Sequence, residues 1–444
     1  MTATPPGFPP LLRAAALVCA LATVAAGCAP AARGREAFDV REITPAFLLP
    51  LEARDPWLAA DAHGNVVLTW VAGDSASAGV WLSVSRDTGA NFSAPVRVSL
   101  PGAGVRSTPE GRPTAAIGPG GALAIAWSEW RGDSTGAIDL RARASADLGR
   151  TFGNVTTLND DVAGPPPGLR WRQLRDWPLT HRPDAFHGFP ALAFAADGSL
   201  LAGWLDDRRT PAPLVPRLHT LWRSVSADGG RTWSPNVALC DSACPGCRPA
   251  LATAADGAVA LAYRDGANDL GDPRLTLSFD GGHTFTTDTL VSRDGWRVAG
   301  GAGQGPALVW DQPAGGHYAW YTGAEPAGVY VARWRRTGGA TGPRRPAADS
   351  LAGAAHPLAA SVGGAVVIGV ASIAPGDPSR HTLAVRLLGA GGEWSPWTFL
   401  GADAGTAALV AAGSRRAIAC WVEHEAGRTR LRLASLTPGN GTRG

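Results

Sequence analysis

The sequence predicts an all-β protein, a single β-propeller made of four-stranded antiparallel blades. Three observations lead to this fold. Pairs of short apolar strands recur with a glycine turn between them, the second strand of a pair usually ends in an aromatic residue, and one turn motif returns four times. Self-similarity along a chain is the signature of repeat architectures, and short strands separated by turn signals favour a closed all-β fold.

Each repeat opens with a residue followed by proline, at the start of a first strand. The six steps are Asp55-Pro56, Arg112-Pro113, Phe189-Pro190, Arg248-Pro249, Gly305-Pro306 and His356-Pro357. The second strand ends in Trp70, Trp127, Trp204, Tyr263, Trp320 or Trp421, with Val370 at this place in the sixth unit. A third strand, the turn and a fourth strand complete a unit that matches one propeller blade.

The count of repeats predicts seven blades, with six as the alternative. The seventh unit begins near Thr406 without a proline and supplies only three strands. The segment from Phe38 to Leu48 precedes the first unit and offers the missing strand. Because such an N-terminal strand would close the ring and leave no open sheet edge, we expect one propeller domain over residues 38–444.

The turn motif reads Ser-x-Asp-x-Gly-x-x-(Phe or Trp). Its four aspartates are Asp87, Asp147, Asp228 and Asp280. An aspartate in such a turn accepts hydrogen bonds from the backbone N–H groups of its own turn, and the glycine supplies a conformation that other residues disfavour. Since these roles are internal to the turn, we interpret the four aspartates as structural rather than catalytic.

This motif resembles the Asp-box, or BNR repeat, of the sialidase-like β-propeller superfamily. In propellers of this type the Asp-boxes lie between third and fourth strands on one rim, and ligands bind on the opposite face. The resemblance therefore implies a ligand face made by the loops that enter first strands and leave second strands. The stretch from Cys240 to Gly323 also resembles bacterial sialidase-like proteins of unsettled function, through Cys247-Arg248, Tyr263-Arg264-Asp265 and Trp320-Tyr321-Thr322-Gly323.

The beginning of the chain predicts export and a lipid anchor. Arg13 precedes an apolar run from Ala14 to Ala26, which is too short to span a bilayer and is typical of a signal peptide. Ala25-Ala26-Gly27-Cys28 resembles a bacterial lipobox. We expect a signal peptide over residues 1–27, lipidation of Cys28 and a linker over residues 28–37. The protein would then be a lipoprotein of the outer membrane or cell surface; ordinary secretion with cleavage nearby is the alternative.

Charged residues gather at the loops of the expected ligand face. Acids stand two residues after the second-strand aromatic in four units: Glu129, Asp206, Asp265 and Glu423. Equivalent positions around a ring converge toward its axis. The ligand-binding candidates are therefore Arg112, Arg248, Arg264, Glu129, Asp206 and Arg208. Such a set could grip an anionic sugar, and mutual neutralisation of charges around a wet channel is the alternative.

The family resemblance also implies a hydrolase as the alternative function. Sialidases hold a carboxylate with three arginines and use a tyrosine nucleophile, primed by a glutamate, with an aspartate as acid and base. On this pattern the catalytic candidates are Tyr321, Glu325 and Asp265. The family's opening Arg-Ile-Pro signature is absent, since the first unit begins Arg54-Asp55-Pro56. We therefore expect recognition of glycan or protein ligands, with exo-acting glycoside hydrolysis as the alternative.

Four cysteines follow the expected lipidation site, and their pairing is open. Cys240, Cys244, Cys247 and Cys420 can form two disulfides in three connectivities in an oxidising compartment. A metal site on the first three is disfavoured because zinc takes four ligands and no second motif is present, and no cofactor is expected. A net charge of +3 over 444 residues indicates no nucleic-acid partner. We expect a monomer.

Overall fold

The computed structural model of the chain contains seven antiparallel sheets, which confirms the predicted seven-bladed propeller. The structure describes residues 37–45, 52–74, 77–132, 136–161, 185–209, 218–298, 301–348, 351–401, 403–425 and 427–439. The expected signal peptide, Cys28 and nearly all of the linker lie outside these ranges. Within them, no helix is both long enough and apolar enough to cross a membrane.

The blades follow one another along the chain. The first strand, β1 (Phe38–Ile43), precedes blade 1. Blade 1 contains β2 (Arg54–Ala60), β3 (Val66–Ala72), β4 (Gly79–Ser85) and β5 (Val96–Arg97). Blade 2 contains β6 (Val105–Arg106), β7 (Thr114–Ile117), β8 (Leu123–Trp130), β9 (Ile138–Ser145) and β10 (Val155–Thr157). Blade 3 contains β11 (His187–Phe194), β12 (Leu200–Asp206), β13 (His219–Ser226) and β14 (Val237–Ala243).

The remaining blades repeat this plan. Blade 4 contains β15 (Ala250–Thr253), β16 (Val259–Arg264), β17 (Pro273–Ser278) and β18 (Thr289–Leu290), and blade 5 contains β19 (Ala307–Gln312), β20 (Gly315–Thr322), β21 (Gly328–Arg335) and β22 (Ala340–Pro346). Blade 6 contains β23 (Ala355–Val362), β24 (Ala365–Ala374), β25 (Asp377–Leu388) and β26 (Thr398–Leu400). Blade 7 contains β27 (Ala404–Ala412), β28 (Arg416–Glu425) and β29 (Arg428–Pro438). Two single 3₁₀ turns, Pro119–Gly121 and Ala267–Asp269, are the helical segments of the described residues.

The N-terminal strand completes the last blade, as the sequence predicts. β1 pairs antiparallel with β29, from Phe38 opposite Pro438 to Ile43 opposite Leu433. The sheet order is therefore β1, β29, β28, β27, and the first and last described strands meet in one blade. Without β1, the outer edge of β29 would present unpaired backbone groups to solvent.

The aromatic residues that end the second strands fill the gaps between blades. Trp127 of β8 is fully buried with Val80 and Leu82 of blade 1, and Trp320 of β20 is fully buried with Leu275 of blade 4. Each thus packs on the blade that precedes its own. Burial of one such side chain contributes about 1.5–3 kcal/mol, so these residues hold neighbouring sheets together.

The four Ser-x-Asp-x-Gly turns share one pattern of hydrogen bonds. In the turn of blade 2, the Ser145 hydroxyl donates to Asp147 Oδ1 at 2.8 Å, and the same oxygen accepts from the Thr151 N–H at 2.8 Å. The side-chain hydrogen bond from Thr151 is the main cause that lowers the pKa of Asp147 to about 2. Since antiparallel strands alternate in direction, these turns lie on the rim opposite the beginnings of the first strands.

The glycine of the motif brings each turn against the preceding blade. Gly149 has a φ of +78°, and a Cβ added to it would lie 2.6 Å from Leu82 of blade 1. The same addition at Gly89 would lie 2.6 Å from Ile418, and at Gly282 2.9 Å from Leu201. The glycine is therefore required both for its left-handed conformation and for close contact between blades.

Candidate functional site

The first strands of six blades, together with Arg112 of blade 2, line a channel along the axis of the propeller. Its cavity measures about 180 Å³. Trp57, Arg112 and Arg248 contribute the aromatic and charged side chains of its wall, and the rest is apolar. Because the two arginines stand at the beginnings of first strands, this polar part of the channel is on the face opposite the Ser-x-Asp-x-Gly turns.

An interruption in blade 2 places charged groups at the channel. The innermost strand is split into β6 and β7, which both pair with β8. The residues between them leave the sheet, and they include Glu110 and Arg112. Both side chains are buried. The irregular segment between β6 and β7, rather than the end of a regular strand, thus places a carboxylate and a guanidinium near the axis.

Arg112 is held by backbone carbonyls of two other blades. Its Nη1 donates to the carbonyl of Pro56 in blade 1 at 3.1 Å and to that of Ala407 in blade 7 at 2.6 Å. Burial lowers the pKa of Arg112, and the charges of Glu110 and Asp55 oppose this shift. The Nη1 group of Arg112 therefore links blade 2 to blades 1 and 7.

Arg248 has no such partners. Its side chain is only 6% exposed, and it makes no hydrogen bond or ion pair within 4.0 Å to any described residue. Its guanidinium carbon lies 4.7 Å from the centre of the Trp57 ring. Burial, together with the charge of Arg112, lowers the pKa of Arg248 to about 10, so the group stays charged at neutral pH. A buried cation therefore faces the channel with its N–H donors unused.

Glu110 supplies the compensating charge. Its Oε1 lies 3.0 Å from His356 Nδ1, and its Oε2 accepts a hydrogen bond from the Gly305 N–H at 3.0 Å. Burial by itself raises the pKa of this carboxyl, but the hydrogen bond with His356 and the charges of Arg248 and Arg112 more than offset it. The pKa of Glu110 is consequently lowered, and the carboxylate is ionised at neutral pH.

Arg264 does not join the other two candidate arginines. It is almost fully buried, and its Nη2 donates to the backbone carbonyl of Tyr321 at 2.6 Å while Nη1 donates to that of Gly271. Its guanidinium also lies 5.5 Å from the centre of the Trp296 ring. Arg112 and Arg248 therefore share the channel, whereas Arg264 links the backbone of blade 4 to that of blade 5.

The three candidate catalytic residues are not assembled into a reactive group. The Tyr321 ring packs edge-on against Trp296 with centroids 5.4 Å apart, and its hydroxyl makes no hydrogen bond to a described residue. Glu325 is exposed and makes no hydrogen bond or ion pair in the described part of the chain. Asp265 accepts from the Ser242 hydroxyl at 2.8 Å and from Arg274 Nε at 2.9 Å. In this arrangement the glutamate does not activate the tyrosine.

The acids that follow the second-strand aromatics pair with arginines of their own blades instead of meeting at the axis. Glu129 accepts from the Trp127 indole N–H at 3.0 Å and lies 3.6 Å from Arg141, the residue opposite Trp127 on the third strand. Glu423 is paired in the same way with Arg432 at 2.6 Å. An acid two residues beyond an aromatic lies on the same face of its strand, which places it between blades.

Asp206 and Arg208 belong to a buried polar network. The Arg208 Nε donates to Asp206 Oδ2 at 2.9 Å, and Nη1 lies 2.7 Å from Asp160. His187 is fully buried, with Nε2 3.0 Å from Asp161 Oδ2 and Nδ1 2.7 Å from the carbonyl of Ile138. These two candidates are therefore satisfied by neighbours of blades 2 and 3 rather than presented to the channel.

The structure pairs two of the four cysteines. Cys244 and Cys247 form a disulfide, while Cys240 and Cys420 are free. Cys247 directly precedes Arg248, and the Ala302 N–H donates to Cys244 Sγ at 3.3 Å. The disulfide thus lies in the loop that delivers Arg248. In the described ranges, no group of three or more His, Cys, Asp or Glu residues could hold a metal ion.

Sequence reasoning missed Glu110 and Trp57. Glu110 precedes a proline step by only two residues, and Trp57 directly follows the first such step. Their positions next to the proline steps could therefore have indicated that both residues lie near the channel. The break between β6 and β7, which turns Glu110 inward, has no counterpart in the repeat pattern.

Comparisons with known proteins leave the family open. No family model matches the chain, and no curated protein matches it. Among solved structures it is similar to the Hadza microbial sialidase Hz136, with a TM-score of 0.48 and 14% identity over 87% of this chain and 66% of that one. This chain thus matches slightly under two thirds of that sialidase's length.

Two further similar structures have different descriptions. A protein of unknown function from Dyadobacter fermentans matches with a TM-score of 0.48 and 13% identity over 90% of this chain and 99% of that one. The α-L-arabinanase of Penicillium chrysogenum matches with a TM-score of 0.46 and 16% identity, over 91% and 98%. At these values the similarity assigns neither a family nor an activity to this chain.

Proposed function

We propose that this protein is an exported, lipid-anchored propeller that recognises an anionic group of a glycan through the channel mouth formed by Arg248, Arg112 and Trp57. The observation that carries the proposal is Arg248, a buried guanidinium with no acceptor. Guanidinium is planar and permanently charged, and its fork of donors suits a carboxylate. A buried donor without a partner costs free energy, which a bound acceptor would recover.

The geometry favours binding over hydrolysis. A tyrosine nucleophile needs an adjacent base because phenol is a poor nucleophile near neutral pH. Tyr321 has no such neighbour within hydrogen-bond distance among the described residues, and it does not line the channel. Export and lipidation of Cys28 remain proposals from the sequence, with metabolic labelling by a fatty acid and its loss in Cys28→Ser as their test.

The experiment is a glycan array probed with the purified protein and with Arg248→Met. Retention of acidic glycans by the wild type, with at least a tenfold loss in the variant, supports the proposal. Retention of neutral glycans alone, or equal retention by the variant, overturns it. Capture of an acidic protein ligand through the same arginine would replace the glycan with a protein as the partner.

A second assay addresses the hydrolase alternative. The wild type is incubated with fluorogenic sialosides and other acidic glycosides. Turnover that is abolished by Tyr321→Phe would establish an enzyme in place of a binding protein. We expect no turnover, because the tyrosine, the glutamate and the candidate arginines do not surround one cavity.

A further inference from the structure

A second cavity lies between blades 5 and 6, on the rim that carries the turns between third and fourth strands. It has a volume of about 280 Å³, just below the roughly 300–1,000 Å³ found for small-molecule sites. Its wall on the blade 6 side includes the turn that follows β25, from Leu388 to Gly392, and Trp394. None of the candidate site residues from the sequence lies in it.

A difference between the turns explains why the gap is open here. In blades 1 to 4 the motif glycine packs against the preceding blade, whereas the turn of blade 6 lacks the serine and aspartate of the motif. The three atoms nearest to a Cβ added to Gly389 all belong to Glu393 of the same turn, and a Cβ added to Gly391 would also meet Glu393. One added to Gly392 would meet the end of the Arg345 side chain of blade 5, and no backbone atom of that blade. The turn therefore does not seal the space beside blade 5.

The floor of the cavity carries an oriented histidine. His317 is 8% exposed, and its Nδ1 lies 3.2 Å from both carboxylate oxygens of Asp311. A carboxylate only accepts, so Nδ1 carries the proton and donates it. The other ring nitrogen, Nε2, has no hydrogen-bond partner among the described residues and presents a lone pair when the ring is neutral. This floor suits a ligand hydroxyl, which can donate to Nε2.

The rim of the cavity is cationic. Arg345 donates through Nη2 to the carbonyl of Gly392 at 2.6 Å, while its Nη1 has no hydrogen bond to a described residue. Arg333 adds a second positive charge, and its Nη2 donates to Gln312 at 2.6 Å. Val331, Val366 and Leu388 make the wall between rim and floor apolar. A carboxylate fits the rim, and a carbon ring fits the wall.

We propose that this cavity is a ligand site for a hydroxylated ring that bears a carboxylate, the chemistry of a hexuronic acid. The carboxylate accepts from Arg345 at the rim, and a ring hydroxyl donates to His317 Nε2 at the floor. The site is separate from the channel mouth, so it stands independently of the proposed function. It adds a second point of contact for an acidic polysaccharide on the opposite face.

Isothermal titration of the full chain with sodium glucuronate tests the site. D-Glucose lacks the carboxylate and cyclohexanecarboxylate lacks the hydroxyls, so each should bind at least tenfold more weakly. Ala390→Trp fills the cavity from an exposed position of the turn and should abolish the glucuronate binding that remains in Arg248→Met, while Ala390→Ser is the matched control and should retain it. His317→Gln, which changes the floor, should weaken glucuronate more than cyclohexanecarboxylate.

Arg248→Met separates this site from the channel. Glucuronate binding that survives Arg248→Met and disappears in Ala390→Trp supports the proposal, whatever the glycan array shows. Equal affinity of Ala390→Trp and Ala390→Ser, or loss of binding only in Arg248→Met, overturns it. So does an affinity for glucose equal to that for glucuronate.

Discussion

The guanidinium of Arg248 in blade 4 lies over the indole of Trp57 in blade 1, with 4.7 Å between the guanidinium carbon and the ring centre. A cation–π contact uses the flat face of the guanidinium and leaves the N–H edges free. The Trp57 indole N–H in turn donates to the carbonyl of Ala115 in blade 2 at 3.1 Å. The aromatic ring is thus fixed, and it holds the cation without consuming the donors that a ligand would need.

Replacement of Arg248 should separate stability from binding. Arg248 is buried without an acceptor, so an apolar side chain of similar length removes a desolvated charge and breaks no hydrogen bond. We expect Arg248→Met to unfold in urea at the same or a higher midpoint than the wild type and to lose the binding of acidic ligands at the channel mouth.

Arg264→Met is the matched control, because Arg264 is equally buried but is bonded to two backbone carbonyls. Leaving these carbonyls unpaired should cost about 1–3 kcal/mol each. If Arg248→Met were destabilised as much as Arg264→Met, Arg248 would be a structural residue.

Glu110→Gln should change stability and affinity in opposite directions. Removal of the carboxylate charge leaves the buried guanidinium groups of Arg112 and Arg248 without their compensating charge, so the free energy of unfolding should fall. The same change makes the mouth more positive, so the affinity for an acidic ligand should rise. Chemical unfolding and titration with the glycan identified on the array measure the two effects, and a fall in affinity would contradict the electrostatic reading.

The lowered pKa of Glu110 also fixes a pH dependence. A carboxyl whose pKa is lower in the folded state stabilises the protein at every pH above its ordinary pKa, which is 4.5 for Glu110. That stabilisation is lost as the pH falls through the folded-state pKa. The wild type should therefore lose more stability between pH 5 and the acid range than Glu110→Gln does. Parallel slopes for the two proteins would show that Glu110 does not titrate as described.

His187 should impose the opposite dependence. Both ring nitrogens face acceptors, so both carry protons and the ring is an imidazolium. Burial lowers the pKa of His187, but the hydrogen bond with Asp161 and the charges of Asp206 and Asp161 outweigh it and raise the pKa above its ordinary 6.5. The stabilisation that His187 gives the protein is complete below pH 6.5 and is lost as the pH rises through the folded-state pKa.

Urea unfolding from pH 6 to pH 10 measures this loss. The wild type should weaken toward alkaline pH, and His187→Gln should show a flatter profile from a lower starting point, because the buried carboxylates lose their cation. Nitrogen NMR of the ring at pH 7 provides the independent check, since a single protonated nitrogen would refute the imidazolium.

The fold followed from the sequence more fully than the site did. The second-strand aromatics, the proline steps and the strand from Phe38 were sufficient to predict seven blades and their closure, because these features depend on local patterns and on the need to pair sheet edges. Arg112 and Arg248 were placed at the channel by the same register. Glu129 and Asp265 shared that register, but their arginine partners, Arg141 and Arg274, come from neighbouring strands.

The remaining part of the site depends on irregular structure. Glu110 reaches the axis through the break in blade 2, and Arg264, the last residue of β16, donates to the carbonyls of Gly271 and Tyr321. A repeat pattern places equivalent positions on one face, yet it does not say which of them an adjacent loop will satisfy. The cavity beside Trp394 likewise arises where the turn motif is missing, so the motif itself could not indicate it.

The glycines of the turn motif should be costly to replace, and Gly149 offers the sharpest case. Gly149→Ala introduces a side chain at a φ of +78°, where the added Cβ lies 2.6 Å from Leu82. The left-handed conformation costs about 1–2 kcal/mol for a non-glycine residue, and overpacking between blades adds typically 1–3 kcal/mol. The variant should therefore unfold at a lower urea concentration with unchanged ligand affinity, because the turn is on the rim opposite the channel mouth.

Gly102→Ala isolates the packing contribution. Gly102 has a φ of +75° and nothing within 4 Å of an added Cβ, so its replacement carries the conformational cost alone. If Gly149→Ala loses more free energy of unfolding than Gly102→Ala, the difference measures the cost of the contact between the turn and Leu82 of blade 1. Equal losses would mean that Leu82 moves aside freely, and the glycine would then be needed for its backbone conformation only.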